Sequence, residues 1–198
     1  MRLNLALLAV AVSALAATGS AGARPADSRL IQASASFQRL GAFWIRDDPT
    51  YAAAVRSLGP SSSCHLVDRD PSHVVASWRP MGVSMDLLTY GGMPNGKTGC
   101  TAPELIWVST VRVTGRSWYT SLGLRVGDPV TKVKRAYRHA AATRGLRGWH
   151  GPGYLLVTRR AACVGVCSKT FVTAAVLVAE VNGGRVRSLV FVVGAQGE

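Results

Sequence analysis

The chain has 198 residues, enough for one ordinary domain or two small ones. Its 23 lysines and arginines outnumber its 10 aspartates and glutamates, which gives a formal net charge of +13. Such a surface serves solubility or attracts polyanions, for example acidic envelope polymers. Nucleic acid is disfavoured as a partner, because the sequence carries none of the usual nucleic-acid-binding fold motifs.

The amino-terminal segment, residues 1–23, predicts a secretory signal peptide. Arg2 precedes an apolar run over residues 5–17, and small residues ending at Ala23 form an A-x-A-like cleavage site. The apolar run is too short to cross a bilayer. We therefore expect a mature chain that begins near Arg24, has no membrane span and is secreted or otherwise extracytoplasmic.

The first half of the mature chain predicts a flexible segment over residues 24–36 and an α+β unit over residues 37–117. Asp48 followed by Pro49 is typical of a helix start, because the carboxylate accepts an orphan N–H and proline needs no donor there. Three apolar residues recur at three- and four-residue steps and predict one buried helix face: Tyr51, Val55 and Leu58.

Strands are predicted in this half at residues 36–43, 73–79, 81–87 and 105–113. The third has the clearest alternation, and four of its residues are expected to face inward: Met81, Val83, Met85 and Leu87.

The four cysteines are an even number in a chain predicted to be exported, so disulfides are expected. Four cysteines allow three pairings. We favour Cys64–Cys100 and Cys163–Cys167, one bond in each half. The second bond requires the chain to fold back at Gly165, since two cysteines four apart on an extended strand are too distant to bond.

The second half, residues 118–198, restarts the pattern and predicts a second α+β unit. Asp128-Pro129 repeats Asp48-Pro49, and a helix is predicted from Pro129 to about Ala142. Strands are expected at residues 154–160, 171–181 and 185–193, with Asn182-Gly183-Gly184 as a tight hairpin between the last two. The predicted fold class is therefore α+β, with two tandem units, each a helix packed on an antiparallel β-sheet.

The second half resembles the tandem-repeat β-lactamase inhibitor proteins and the related small outer-membrane-assembly lipoprotein domains. In those families a G-x-x-x-G-D-type entry precedes a helix that ends near an aromatic residue. The matching positions here are Gly123, Gly127, Asp128, Val133 and Tyr137, with a fainter copy at Asp48, Val55 and Leu58. The resemblance implies helix-on-sheet units, a disulfide in each half and a binding surface on the open face of a curved sheet.

Catalytic and metal-binding patterns are absent from the sequence. There is no G-x-S-x-G and no H-E-x-x-H, and the spacing of Cys163 and Cys167 matches no common zinc arrangement. Asp47, Asp48 and Asp128 are interpreted as helix caps rather than as acids or bases. We therefore expect a non-enzymatic protein without cofactor or metal.

Basic residues around the second helix are the candidate partner contacts. Trp149 lies on a Gly-rich loop with Arg144 and Arg147, and tryptophan and arginine are enriched in interface hot spots. Lys132, Arg135 and Arg138 are predicted on the polar face of the helix. The alternative for all of these residues is an ordinary solvated surface.

These observations favour a secreted, non-enzymatic protein-binding module, inhibitor-like in its strongest form, whose protein partner the sequence does not identify. The alternative is a basic protein that binds polyanions or the cell envelope through charge alone.

Overall fold

The computed structural model describes residues 29–89, 91–146, 149–162 and 171–193. A small sheet contains the four strands β1 (Leu30–Ala33), β2 (Gln38–Leu40), β3 (Phe43–Trp44) and β8 (Tyr119–Thr120). Their order is β3-β2-β1-β8, in which β1 pairs antiparallel with β2 and parallel with β8.

The second sheet is larger and contains eight antiparallel strands: β4 (Ser63–Val67), β5 (Asp70–Trp78), β6 (Val83–Leu88), β7 (Trp107–Val113), β9 (Ala141–Leu146), β10 (Trp149–Ala162), β11 (Phe171–Asn182) and β12 (Arg185–Val192). Their order is β4-β5-β6-β7-β12-β11-β10-β9. The β7–β12 pairing, with Phe191 opposite Val111, joins strands from the two halves of the chain.

The predicted fold class, two tandem units each with a helix on an antiparallel sheet, is wrong. The described residues are mostly β, and their two α-helices, α1 (Tyr51–Leu58) and α2 (Val130–Ala136), have only eight and seven residues. Helices of two turns bury too little surface to close a unit alone. Pairing of β7 with β12 removes two exposed sheet edges, which would otherwise leave unpaired N–H and C=O groups.

One hydrophobic cluster draws on both sheets and both helices. Val83, Met85 and Leu87 of β6 are at most 2% exposed, which confirms the predicted alternation, while Met81 lies half-buried in the preceding 3-10 turn. Trp118 is fully buried, and its Nε1 donates to the carbonyl oxygen of Met81 at 2.8 Å. That bond ties the start of the second half to the turn before β6.

Helix α1 begins two residues later than the aspartate cap predicted at Asp48. Thr50 is the N-cap residue, and its Oγ1 accepts from the backbone N–H of Ala53 at 3.1 Å. Asp48 instead accepts from the Thr50 hydroxyl at 2.6 Å and pairs with Arg56. A hydroxyl can accept the helix donor and donate to a carboxylate at once, so the acid orients the cap rather than forming it.

Helix α2 ends at Ala136, about six residues short of the predicted end near Ala142. The residues beyond the helix turn back and form β9, where Ala142 pairs with Tyr154 of β10. The sheet partner supplies the hydrogen bonds that a longer helix would have made, so tertiary pairing overrides the helical pattern. The predicted helix end near Ala142, and with it the helical position of Arg138, is therefore wrong.

Two local predictions are confirmed. The backbone joins β11 to β12 through Gly183 and Gly184, whose φ angles of 55° and 73° suit a two-residue hairpin turn. Cys64 and Cys100 are disulfide-bonded. Cys163 and Cys167 lie outside the described residues.

The amino-terminal part that the sequence assigned to a flexible segment contains strand β1, in which Ile31 is 1% exposed. The strand pairs with β2 on one side and with β8 on the other, and β8 comes from the second half of the chain. Among the helices of the described residues, none is long and apolar enough to cross a membrane.

Candidate functional site

A tight turn between β8 and α2 presents Leu122 to solvent. The backbone N–H of Thr120 donates to the carbonyl oxygen of Leu124 at 2.9 Å, and the N–H of Leu124 donates to the Thr120 hydroxyl at 3.2 Å. Gly123 supplies the positive φ of 74° that the turn needs. With both sides of the turn closed, Leu122 is left 54% exposed at its tip.

The next loop fixes the start of α2. Gly127 has a φ of 93°, and the Asp128 carboxylate accepts from the backbone N–H of Arg125 at 2.7 Å. The same carboxylate pairs with Lys132 at 2.8 Å. The prediction that Asp128 caps α2 is wrong, because Pro129 occupies the N-cap position and no side chain accepts from the helix there. The carboxylate closes the preceding loop instead.

Leu122 and the end of α2 line a cavity of about 330 Å³, called here the basic pocket. Arg135 and Arg138 are exposed, whereas Tyr137 is half-buried and Leu156 is buried. No described residue that lines the pocket is acidic. Its lining consists of Leu122, Arg135, Ala136, Tyr137, Arg138, His139 and Leu156.

The phenol of Tyr137 connects this pocket to the small sheet. Burial raises the pKa of Tyr137 above its ordinary value, and a hydrogen bond with the Thr120 side chain opposes that rise. The side chain is therefore a neutral, fixed wall at physiological pH rather than an additional charge. The guanidinium groups of Arg135 and Arg138 supply the charge of the pocket.

The structure brings together some of the predicted partner-contact residues and separates others. Arg135 and Arg138 share the basic pocket, although Arg138 lies beyond the helix on which it was predicted. Lys132 is half-buried and paired with Asp128. Arg144 is exposed on β9 and Trp149 begins β10 opposite Leu146, so the prediction that both lie on a Gly-rich loop is wrong. Arg147 lies outside the described residues.

Leu122, His139 and Leu156 were not among the predicted contact residues. Leu122 lies in the L-G-L turn, where Gly123 indicates a turn but no local pattern indicates that the leucine is exposed. Leu156 comes from β10, far along the chain from the other lining residues, and its proximity follows only from the pairing of β10 with β9 and β11.

Polar groups also lie on the sheet face that is turned away from the core. The Glu180 carboxylate accepts from Arg112 and from the Ser188 hydroxyl, and Arg112 also donates to Ser188 Oγ at 3.2 Å. These three residues satisfy one another across β7, β12 and β11. Their arrangement accounts for a buried acid, 7% exposed, without a ligand.

A second polar group on the same face does not form a catalytic pair. Asp86 accepts from the Thr110 hydroxyl at 2.9 Å, while His73 Nε2 is 3.8 Å from the Asp86 carboxylate, too far for a hydrogen bond. Within the described ranges, no three histidine, cysteine, aspartate or glutamate side chains are grouped as metal ligands.

Comparisons with protein-family models, with curated proteins and with solved structures find no match to this chain. The chemistry of its own surface therefore carries the functional argument.

Proposed function

We propose that this chain is an extracytoplasmic binding protein that docks an acidic protein partner at the basic pocket. The observation that carries the proposal is the presence of an exposed leucine, Leu122, in the same pocket as two exposed arginines, Arg135 and Arg138. Arginine beside apolar and aromatic groups is typical of interface hot spots. Charge complementarity then selects an acidic partner.

A folded protein is favoured over a polyanionic polymer because the pocket is not purely charged. Leu122, Tyr137 and Leu156 give it an apolar surface that a purely ionic polymer such as polyphosphate would leave unused. The resemblance of the Gly123–Tyr137 motif to the β-lactamase inhibitor family adds the expectation that the partner is an enzyme. The partner surface would then combine carboxylates with an apolar side chain.

The extracytoplasmic location rests on the Cys64–Cys100 disulfide, since disulfides persist in oxidising compartments. The signal peptide predicted for residues 1–23 agrees with it. Mass spectrometry of the protein recovered from culture fluid and envelope tests both, because cleavage before Arg24 removes the first 23 residues. Retention of the whole chain in the cytoplasm with free thiols would contradict this location.

Two matched variants test the docking site. Immobilised protein captures partners from culture fluid and envelope extract, and the captured protein is then purified and titrated against variants. We expect Arg135→Gln/Arg138→Gln and Leu122→Ser each to weaken binding by about tenfold or more, the cost of losing a hot-spot contact. The control Lys97→Gln/Lys134→Gln removes the same charge from exposed positions outside the pocket and should have little effect.

Other outcomes would change the function. Equal loss of binding in both double variants, with complete release as salt rises, would indicate a basic protein that binds polyanions through charge alone. A direct assay against a β-lactamase tests the enzyme partner, and absence of inhibition by the full chain would remove the inhibitor-like form of the proposal.

A further inference from the structure

A second cavity, called here the inter-sheet cavity, is lined by residues of both sheets and shares no lining residue with the basic pocket. It has a volume of about 270 Å³. Gln38 comes from the small sheet, whereas Val108 and Arg159 come from β7 and β10 of the large one. The complete set of described lining residues is Gln38, Arg46, Pro49, Trp107, Val108, Arg159 and Val193.

Arg159 is the unusual member of this set. Its Nε is buried and has no hydrogen-bond partner among the described residues. An N–H of a charged group that is buried without an acceptor costs free energy, so such groups are rare unless a ligand or solvent satisfies them. Arg159 lines the cavity, and an acceptor bound there would meet this demand.

The other polar groups leave the cavity cationic. Arg46 is an exposed lining residue, and its Nη1 donates to the carbonyl oxygen of Ala35 at 2.9 Å, which holds the guanidinium in place. Gln38 is 5% exposed, and its Nε2 donates to the carbonyl oxygen of Val192 at 3.1 Å. No described lining residue is acidic, so neither guanidinium is neutralised within the cavity.

The remaining wall is apolar and partly aromatic. Pro49, Val108 and Val193 contribute aliphatic surface, and Trp107 is 38% exposed although it is a large apolar side chain. The volume is slightly below the roughly 300–1,000 Å³ of typical small-molecule pockets. The cavity therefore has room for a small compact molecule and not for a polymer or a folded partner.

We propose that the inter-sheet cavity binds a small organic carboxylate. The carboxylate accepts from Arg159 and Arg46, since guanidinium groups match carboxylate geometry. The apolar body of the ligand packs against Trp107, Pro49 and the two valines. This site is independent of the basic pocket, and binding at one requires nothing of the other.

Benzoate is the probe, because it combines a carboxylate with a compact apolar ring. Benzyl alcohol is the neutral match, and inorganic phosphate is the anion without an apolar body. Isothermal titration of the purified full chain should show one benzoate site per chain. Benzyl alcohol and phosphate should each bind at least about tenfold more weakly, which corresponds to the loss of one good contact.

Variants locate the site. Arg159→Met and Arg46→Gln should each weaken benzoate binding by about tenfold or more. Arg135→Gln, in the basic pocket, should leave it unchanged. Arg46 is exposed, so Arg46→Gln decides the matter even if Arg159→Met fails to fold.

Several results would overturn the proposal. The first is the absence of saturable benzoate binding up to about 10 mM, a dissociation constant that corresponds to a binding free energy of only about −3 kcal/mol. The second is equal binding of benzyl alcohol or phosphate, and the third is benzoate binding that neither arginine variant weakens. Absence of benzoate binding together with intact partner docking would overturn the cavity ligand and support the proposed function. Benzoate binding without partner docking would overturn the proposed function and support the cavity ligand.

Discussion

Cys64 of β4 and Cys100, in the loop that leads to β7, are bonded to each other across 36 residues of sequence, with their Cα atoms 5.8 Å apart. The loop that they close contains all of β5 and β6 and joins the edge strand of the large sheet to the segment before its central strands. Both cysteines pack against the core cluster.

Removal of this bond should destabilise the fold strongly. For a closed loop of this length, chain entropy predicts a loss of roughly 3–4 kcal/mol in the free energy of unfolding of Cys64→Ala/Cys100→Ala. Urea unfolding of the variant and the wild type, both without reductant, measures the difference while leaving the other two cysteines in the same state. A loss below about 1 kcal/mol would contradict a stabilising role for this bond.

Trp118→Phe should cost about 2–4 kcal/mol, from the unsatisfied Met81 carbonyl and the space left by the smaller ring. The indole is fully buried, and its Nε1 is the donor to that carbonyl. Trp44→Phe is the control, because Trp44 is 45% exposed and should lose less than about 1 kcal/mol. Thermal and urea unfolding measure both variants, and equal losses would show that the Met81 bond contributes nothing specific.

Glu180→Gln should lower the free energy of unfolding by about 1–3 kcal/mol, since it leaves the Arg112 guanidinium without its carboxylate in a partly buried setting. The Glu180 side chain is 10% exposed and the Arg112 side chain 39% exposed, so solvent softens the loss. A double-mutant cycle with Arg112→Met isolates the pair. Asp86→Asn, at a half-exposed acid on the same face, is the comparison. Coupling near zero would mean that the two charges act independently.

Tyr137 should make the protein less stable at alkaline pH. Burial raises the pKa of its phenol in the folded state, so above the ordinary value of 10.0 the unfolded chain loses this proton first. The contribution of the protonated phenol to the free energy of unfolding is fully present below that pH. It is lost as the pH rises through the folded-state pKa, with a slope of at most about 1.4 kcal/mol per pH unit.

The variant Tyr137→Phe tests this dependence, because phenylalanine has no proton to lose. The Thr120 hydroxyl keeps its bond from the Leu124 N–H in the variant. Urea unfolding at pH 8 and at pH 11 should show a smaller alkaline loss in Tyr137→Phe than in the wild type. Identical losses would mean that other groups account for the whole dependence.

Local chemistry in the sequence predicts several elements well. Alternation in β6 identified the buried Val83, Met85 and Leu87, and two glycines identified the β11–β12 turn. These signals depend on neighbours within a few residues, so they need no knowledge of the fold. The Cys64–Cys100 pairing was one of three possibilities, and the structure selects it.

The candidate site was predicted only in part. Arg135 and Arg138 were expected on one helix face, and they do share a pocket, but α2 ends before Arg138. Helical periodicity continues past Ala136 in the sequence, but the chain there forms β9 instead of more helix. Pairing of β9 with β10 satisfies the backbone N–H and C=O groups that a longer helix would have satisfied. The same pairing brings Leu156 of β10 into the basic pocket.

The sequence by itself determined the short-range features: the turns, the alternating strands, the existence of two helices and the basic charge. Only the tertiary structure decided that β7 pairs with β12, where α2 ends, and that Gln38 and Arg159 line one cavity. The physical reason is distance along the chain. Periodicity and turn chemistry act over a few residues, whereas a shared sheet and a cavity between sheets depend on which distant segments pair.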